Sequence, residues 1–193
     1  MEGGLLVWIV VGVIVIAAIG PLFWLLPSKR DRLLSELRTE ARHSGLAVEV
    51  TRVPKIDASA EERVSSGGAA REATIECAAY RLALPKRLPH APRWLLFKSG
   101  RENRYLPGWT TLAPPTGLPA TPQAYWQAVG ALIDSVPGGC VAVEAAVRHI
   151  SWYGRERVDG AAATEVVAGI RDCLTALGEL HRALNEVPED DPE

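Results

Sequence analysis

The run Leu5–Leu26 is the sequence feature that most constrains the fold, because its 22 residues include no charged side chain. A helix of that length reaches about 33 Å, and the hydrocarbon core of a bilayer is about 30 Å thick. Trp8 and Trp24 lie near the two ends of the run, where indole rings favour the headgroup boundary. A buried helix of a globular protein would show a polar stripe, which this run lacks. The run therefore predicts a transmembrane helix.

A cleaved signal peptide is the nearest alternative to an anchor. Its first residues should be basic, its apolar run shorter, and its cleavage site should carry small residues. Here the chain begins Met-Glu-Gly-Gly, and the run ends in Trp-Leu-Leu-Pro. We therefore expect an uncleaved single-pass anchor.

The charges that flank the run predict its orientation. No Lys or Arg precedes it, whereas Lys29, Arg30 and Arg32 follow directly. Positive charges near a transmembrane helix favour the cytoplasmic side, so these three residues are the expected topology determinants. We expect residues 1–4 to lie outside and residues 27–193 to lie in the cytoplasm. Arg outnumbers Lys, and Ala and Val are abundant, a composition that suits a GC-rich bacterial genome, so the expected location is a bacterial inner membrane. Three cysteines without a C-x-x-C pair fit a reducing compartment.

The remaining sequence predicts one folded domain. We expect an amphipathic juxtamembrane helix in residues 27–45, a cytoplasmic domain over residues 46–187, and a disordered acidic tail at residues 188–193. Ser28 and Asp31 have the spacing of a capping box at the start of that helix, with Asp in place of Glu, and Gly45 is the expected residue at its end. Alternating apolar residues predict strands, and apolar residues three and four apart predict helices. The expected strands are 46–53, 72–84 with a bulge near Ala78–Ala79, 93–98, 104–106, 140–144 and 149–153; the expected helices are 122–136 and 161–184. This pattern predicts an α+β fold, a mostly antiparallel sheet packed with two or three helices after the transmembrane helix.

The two long connections are predicted to be irregular. Residues 54–71 are polar and small, and indicate a surface loop. Residues 107–122 contain five prolines and an apparently exposed Trp109, and indicate an extended linker. The last helix has an apolar seam spaced 3-4-3-4-3 that suits packing on the sheet, although a short coiled coil has the same spacing.

Motifs that would identify an enzyme are absent from the sequence. There is no phosphate-binding glycine loop, nucleophile elbow or H-E-x-x-H motif. A thiol near an imidazole would be reactive, and Cys140 with His149 is the first such pair to consider. His149 could also approach Glu144, and His181 lies on an apolar seam, where a satisfied core histidine is the expected role. We predict no catalytic residues, no cofactor and no metal site.

Basic residues are concentrated between Arg81 and Arg104. This stretch contains seven Lys and Arg residues and a single acidic residue, Glu102. Trp94, Phe97 and Tyr105 are interleaved with them. Three interpretations stay open: a solvated rim, a face that meets anionic lipid or a partner protein, and a nucleic-acid surface. Nucleic acid is the least favoured partner. The candidate membrane or partner face consists of Lys86, Arg87, Arg93, Lys98, Arg101 and Arg104.

The order of a short N-terminus, one anchor, the exit Pro27–Arg30, an amphipathic helix and the strand Leu46–Val53 resembles uncharacterised bacterial single-pass inner-membrane proteins. Those proteins are labelled as similar to the auxiliary subunit YajC of the Sec preprotein translocase. The resemblance extends to Tyr80–Leu82, Trp94–Leu96 and Trp152–Tyr153. It implies a translocase-related role at the membrane and assigns no functional residues.

These observations predict a non-enzymatic accessory or interaction protein. Its expected partners are the lipid bilayer and another membrane protein or complex. The alternative is a membrane-tethered enzyme with an unrecognised active site, for which Cys140 and His149 would be the test.

Overall fold

The computed structural model describes residues 4, 7–8, 10–17, 28–100, 106–112, 122–156 and 161–185. The chain divides into two compact units, residues 1–35 and 36–193. The sheet and most of the helical residues belong to the second unit, which we call the sheet domain.

The predicted transmembrane run is described only in part. Residues 7–8 and 10–17 are helical, whereas residues 5, 6, 9 and 18–26 lie outside the described residues. In the described ranges, no helix has the length and hydropathy needed to cross a membrane. The predicted tail, residues 188–193, also lies outside them.

Beyond the helical residues 7–8 and 10–17, three helices and six strands make up the described part of the fold. The helices are α1 (Lys29–His43), α2 (Gln123–Asp134) and α3 (Ala163–Asn185), with a short 3₁₀ helix at Glu61–Arg63. The strands are β1 (Ala47–Pro54), β2 (Thr74–Ala83), β3 (Trp94–Lys98), β4 (Trp109–Thr111), β5 (Cys140–Ala145) and β6 (His149–Gly154). All pairs are antiparallel and the order is β1-β2-β6-β5-β3-β4. The predicted α+β class with an antiparallel sheet is therefore confirmed.

Sequence signals at both ends of α1 act as predicted. Ser28 Oγ accepts a hydrogen bond from the Asp31 amide at 3.2 Å, and the Asp31 carboxylate accepts one from the Ser28 amide at 3.1 Å. This reciprocal pair is a capping box with Asp in place of Glu. At the other end Gly45 has φ +82°, and the Leu46 amide reaches back to the Ala41 carbonyl at 2.9 Å. That bond is the Schellman closure for which glycine is suited.

Two predictions about the strands are wrong. The register of β1 with β2 runs without interruption from Ala47 to Pro54, so there is no bulge at Ala78–Ala79; the register shift lies instead between Cys140 and Ala142. The strand that returns beside β3 is Trp109–Thr111, inside the predicted linker, and Trp109 is buried at 2% exposure. Its indole N–H donates to Asp134 of α2 at 3.3 Å, which explains why an aromatic residue in a proline-rich segment is drawn into the core.

One face of the sheet is covered by helices. α3 packs across β2 and β6, and α2 packs against α3. The apolar seam of α3 is buried at Val167, Ile170, Leu174 and Leu177, so the seam serves packing in the domain. Cross-strand neighbours on this face include Tyr80 and Trp152, whose rings meet edge to face with centroids 5.4 Å apart.

A chain of buried polar groups ties this face together. The Trp94 indole N–H donates to Tyr125 Oη at 2.8 Å, and Tyr125 Oη lies 2.8 Å from His181 Nδ1. His181 Nε2 lies 2.7 Å from the carbonyl oxygen of Pro92. Since a carbonyl can only accept, Nε2 must carry the proton, and Tyr125 donates to Nδ1. His181 is 1% exposed and is the satisfied core histidine that the sequence predicts.

Burial of His181 makes the stability of the sheet domain depend on pH. Desolvation lowers the pKa of its imidazole below the ordinary 6.5, so the unfolded chain takes up this proton at a higher pH than the folded one. The contribution of neutral His181 to the free energy of unfolding is complete above about pH 6.5. It is lost as the pH falls through the folded pKa, and the free energy of unfolding then drops by up to about 1.4 kcal/mol per pH unit. We expect His181→Gln to flatten this slope in urea unfolding followed by tryptophan fluorescence, with the exposed His90→Gln as control. Parallel pH profiles for the wild type and His181→Gln would contradict the assignment.

The opposite face of the sheet is covered by the β1–β2 connection. Ile56 packs on an apolar cluster that includes Phe97, Ala142 and Tyr153. The Asp57 carboxylate accepts hydrogen bonds from Ser99 Oγ at 3.2 Å and from the Gly100 amide at 3.3 Å. The predicted surface loop 54–71 therefore also crosses the sheet and shields its second face.

A partly buried ion pair joins α1 to the residues that follow β6. Arg38 forks onto Glu156, with Nε–Oε1 at 2.9 Å and Nη2–Oε2 at 2.6 Å, and Tyr80 Oη donates to the same carboxylate at 2.7 Å. The Glu156 side chain is 6% exposed and that of Arg38 33%. Glu156 lies two residues after the end of β6, so this ion pair lies at the end of the sheet opposite the β5–β6 turn.

Candidate functional site

Three chain segments meet at the end of the sheet where β5 turns into β6. The β2–β3 connection passes this turn, with the Leu84 amide bonded to the Arg148 carbonyl at 2.8 Å and the Leu88 amide to the Val147 carbonyl at 2.9 Å. The His90 amide donates to Asn185 Oδ1, at the end of α3, at 3.1 Å. We call this surface the basic end and define it by four exposed cations: Lys86, Arg87, Arg93 and Arg148.

Apolar anchors fix the connection that carries three of these cations. Leu88 and Ala91 are 4% and 1% exposed, and the Pro92 carbonyl is held by His181. The intervening Lys86, Arg87 and Arg93 are exposed. Buried residues alternate with charged ones along this proline-rich segment, which is why the cations are displayed at the surface.

The basic end has an uncompensated positive charge in the described part of the chain. None of its four cations has a carboxylate oxygen within 4.0 Å there. Exposed charges of one sign raise the local concentration of anionic partners. The arrangement can therefore attract an acidic surface, and we treat it as the candidate site.

The nearest carboxylate on the adjoining strands is already engaged. Glu144 accepts a hydrogen bond from Tyr153 Oη at 2.5 Å and lies 3.5 Å from His149 Nε2, the approach considered from the sequence. Burial and the Glu144 carboxylate raise the pKa of Tyr153 to about 12. Arg81 donates to Ser151 Oγ at 3.3 Å on the same face. A phenol with such a raised pKa stays protonated at neutral pH, which suits a structural hydrogen bond.

The structure brings together only part of the face predicted from the sequence. Lys86, Arg87 and Arg93 converge at the basic end, whereas Lys98 lies at the far end of β3, with Nζ 6.0 Å from the Trp109 ring centroid. Arg101 and Arg104 lie outside the described residues. Arg148 was missed because it lies in the β5–β6 turn, far from the basic stretch in sequence.

The aromatic residues that suggested a nucleic-acid surface are largely internal. Trp94 and Phe97 are 4% and 1% exposed, and Tyr105 lies outside the described residues. Base stacking needs an exposed ring face, so these two rings cannot provide it.

The thiol–imidazole pair considered as a catalytic site is not assembled. Cys140 pairs with Gly154, whereas His149 lies next to Ile150, which pairs with Ala145. Five residues of strand separate the two positions, about 16 Å at about 3.3 Å per residue. Burial also raises the pKa of Cys140 to about 12. The hypothesis of a reactive Cys140–His149 pair is therefore wrong.

The other cysteines are free and buried as well. Burial raises the pKa of Cys173 to about 11 and also raises the pKa of Cys77. Thiols of this kind behave as small apolar side chains. In the described ranges, no cluster of three or more His, Cys, Asp or Glu residues could hold a metal ion.

A groove of about 400 Å³ lies under the β1–β2 connection. Its cations are tied to the chain: Lys55 pairs with Glu62, Arg63 donates to the Ala58 carbonyl and Arg71 to the Glu62 carbonyl. These bonds fix the conformation of the connection. The cations of the groove are therefore less available to a ligand than those of the basic end.

The predicted topology charges lie in the first turn of α1. Lys29, Arg30 and Arg32 are exposed, whereas Asp31 between them bonds to Ser28, which lowers the pKa of its carboxyl. The three cations are therefore displayed to their surroundings, and the acid among them is used in the helix cap.

Comparisons with known proteins give no match: no family model, curated protein or solved structure is similar to this chain. The resemblance to YajC-like proteins therefore stays a prediction.

Proposed function

We propose that this chain is a single-pass inner-membrane protein of bacteria that acts as a non-enzymatic accessory protein. Leu5–Leu26 is its anchor, its N-terminus lies outside, and the sheet domain lies in the cytoplasm. There the basic end binds an acidic surface of another membrane protein. A translocase-related complex is the class of partner that the resemblance implies.

The apolar run is the observation that carries the proposal. Eight large apolar side chains at positions 7–16 are 43–76% exposed, among them Trp8 and Ile16. A helix with apolar side chains on all sides is unfavourable in water and favourable in lipid. The exposed Lys29, Arg30 and Arg32 follow at the distance at which they favour the cytoplasmic side.

The charge of the basic end supports an acidic protein surface as the partner of Lys86, Arg87 and Arg93. All three side chains are exposed, and none has a carboxylate oxygen within 4.0 Å in the described ranges. Exposed charges of one sign raise the local concentration of partners of the opposite sign.

Partner capture tests this proposal. The tagged full chain is purified in mild detergent, and co-purifying membrane proteins are quantified by mass spectrometry. We expect K86S/R87S/R93S to lower recovery of the specific partner about tenfold, because three exposed ion pairs together contribute about 1.5 kcal/mol. R52S/R155S/R171S removes the same charge elsewhere and should leave recovery unchanged. Equal recovery with both variants would contradict the role of the basic end.

A further inference from the structure

The last described helix ends beside the basic end. Asn185, its final residue, accepts the hydrogen bond from the His90 amide at 3.1 Å. The sequence then continues Glu-Val-Pro-Glu-Asp-Asp-Pro-Glu, residues 186–193, which we call the acidic segment. It contains five carboxylate side chains and no Lys or Arg. The most acidic stretch of the chain therefore follows directly on a helix end that lies beside an exposed cluster of cations.

The distances allow the two to meet within one molecule. Arg87 and Arg93 are each three residues from His90 in sequence, so their Cα atoms lie within about 11 Å of the His90 Cα. Eight extended residues reach about 26 Å. The acidic segment can therefore cover all the cations of the basic end without any change in the sheet domain.

The local charges favour such a contact. Lys86, Arg87, Arg93 and Arg148 have no carboxylate within 4.0 Å in the described part of the chain. Glu144 on the adjoining strand β5 does not compete strongly, because Tyr153 and His149 already engage its carboxylate. A short tether gives a local concentration in the millimolar range, so even weak exposed ion pairs can close the contact.

We propose that residues 186–193 bind the basic end of the same molecule and act as an internal competitor for acidic partners. A partner at this surface must displace the acidic segment, so the segment sets a threshold for binding. The contact is electrostatic and exposed, and salt weakens it. The inference does not depend on the identity of the partner, and its test uses the chain alone.

The experiment places a nitroxide spin label on the acidic segment of the full chain in detergent micelles. Pro192→Cys offers an exposed thiol, whereas Cys77, Cys140 and Cys173 are buried, and unlabelled wild type checks that they take up no label. The probe is the ratio of amide NMR intensities with the label oxidised and reduced. We expect this ratio to be at least twofold lower at residues 86–93 and 147–149 than at Gly139 and Arg155. It should recover in 1 M salt, where the screening length is about 3 Å.

Two charge variants make the outcome decisive. E189Q/D190N/D191N/E193Q should remove the selective broadening, and so should K86E/R87E/R93E. Combining the latter with E189K/D190K/D191K/E193K should restore it, since the complementarity is then reversed. Selective broadening that remains in E189Q/D190N/D191N/E193Q would overturn the inference. So would a doubly charge-reversed chain in which the broadening does not return. Either result would leave the proposed function to its own capture experiment.

Discussion

Gly154→Ala is expected to lower the free energy of unfolding of the sheet domain by about 3 kcal/mol or more. A Cβ at this position would lie 2.3 Å from Cη2 of the Trp152 ring and 2.6 Å from the Gly139 carbonyl oxygen. Neither the Trp152 ring nor the Gly139 carbonyl can move away without a large energetic cost. The Trp152 ring is buried against Tyr80, and Gly154 pairs with both β2 and β5. Overpacking in such a place is relieved only by separating strands.

Gly138→Ala is the matched control for this substitution, since nothing lies within 4 Å of a Cβ there. Urea unfolding followed by tryptophan fluorescence should show a large shift of the midpoint for Gly154→Ala and almost none for Gly138→Ala. Similar midpoints for the two variants would mean that the close packing of the β5–β6 ends is not required.

Arg38→Met is expected to destabilise the sheet domain by about 3 kcal/mol, the low end of the range for breaking a buried ion pair. Among the described residues, this change leaves the Glu156 carboxylate, whose side chain is 6% exposed, with the Tyr80 hydroxyl as its one remaining partner. The low end applies because the Arg38 side chain is one third exposed. The same urea titration measures this loss.

A second substitution separates a lost attraction from an uncompensated charge. Arg38→Met with Glu156→Leu removes both charges, and we expect it to recover most of the loss, since an apolar pair can replace a buried ion pair. The exposed pair of Arg52 and Glu76, 3.7 Å apart, is the reference: Arg52→Met should cost less than about 1 kcal/mol. A double variant no more stable than Arg38→Met would argue against this explanation.

The parts of the fold set by local pattern could be predicted from the sequence. The alternation in Ala47–Pro54, the seam of α3 and the caps at Ser28 and Gly45 are periodic or local signals, and each lies where expected. The position of His181 on an apolar seam was enough to predict a satisfied core histidine. These features depend on residues a few positions apart.

The parts that depend on long-range partners could not be predicted. Trp109 is a strand residue because it pairs with β3 and its indole N–H donates to Asp134. Neither partner can be identified from the proline-rich sequence around Trp109. Ala78 and Ala79 suggested a bulge because the alternation of apolar residues changes phase there. Both faces of β2 are buried from Cys77 to Tyr80, so the change of phase did not indicate a bulge.

The candidate site shows the same limit. Lys98 and Lys86 were grouped because they are close in sequence. Lys86 lies in the connection before β3 and Lys98 at the far end of that strand, so the two residues lie at opposite ends of the sheet. The same grouping omitted Arg148, which the β5–β6 turn brings to the basic end. Glu156 gave no signal at all, because its role depends on Arg38 and Tyr80, each far away in sequence.

Reporter fusions after Glu193 measure the proposed membrane topology. A reporter active only in the periplasm should be silent, and a reporter active only in the cytoplasm should work. Neutralising Lys29, Arg30 and Arg32 together should weaken this preference, because these charges lie closest to the end of the anchor. K86S/R87S/R93S, which changes as many charges far along the sequence from the proposed anchor, should not. A full chain recovered without membranes, or an active periplasmic reporter, would contradict the account.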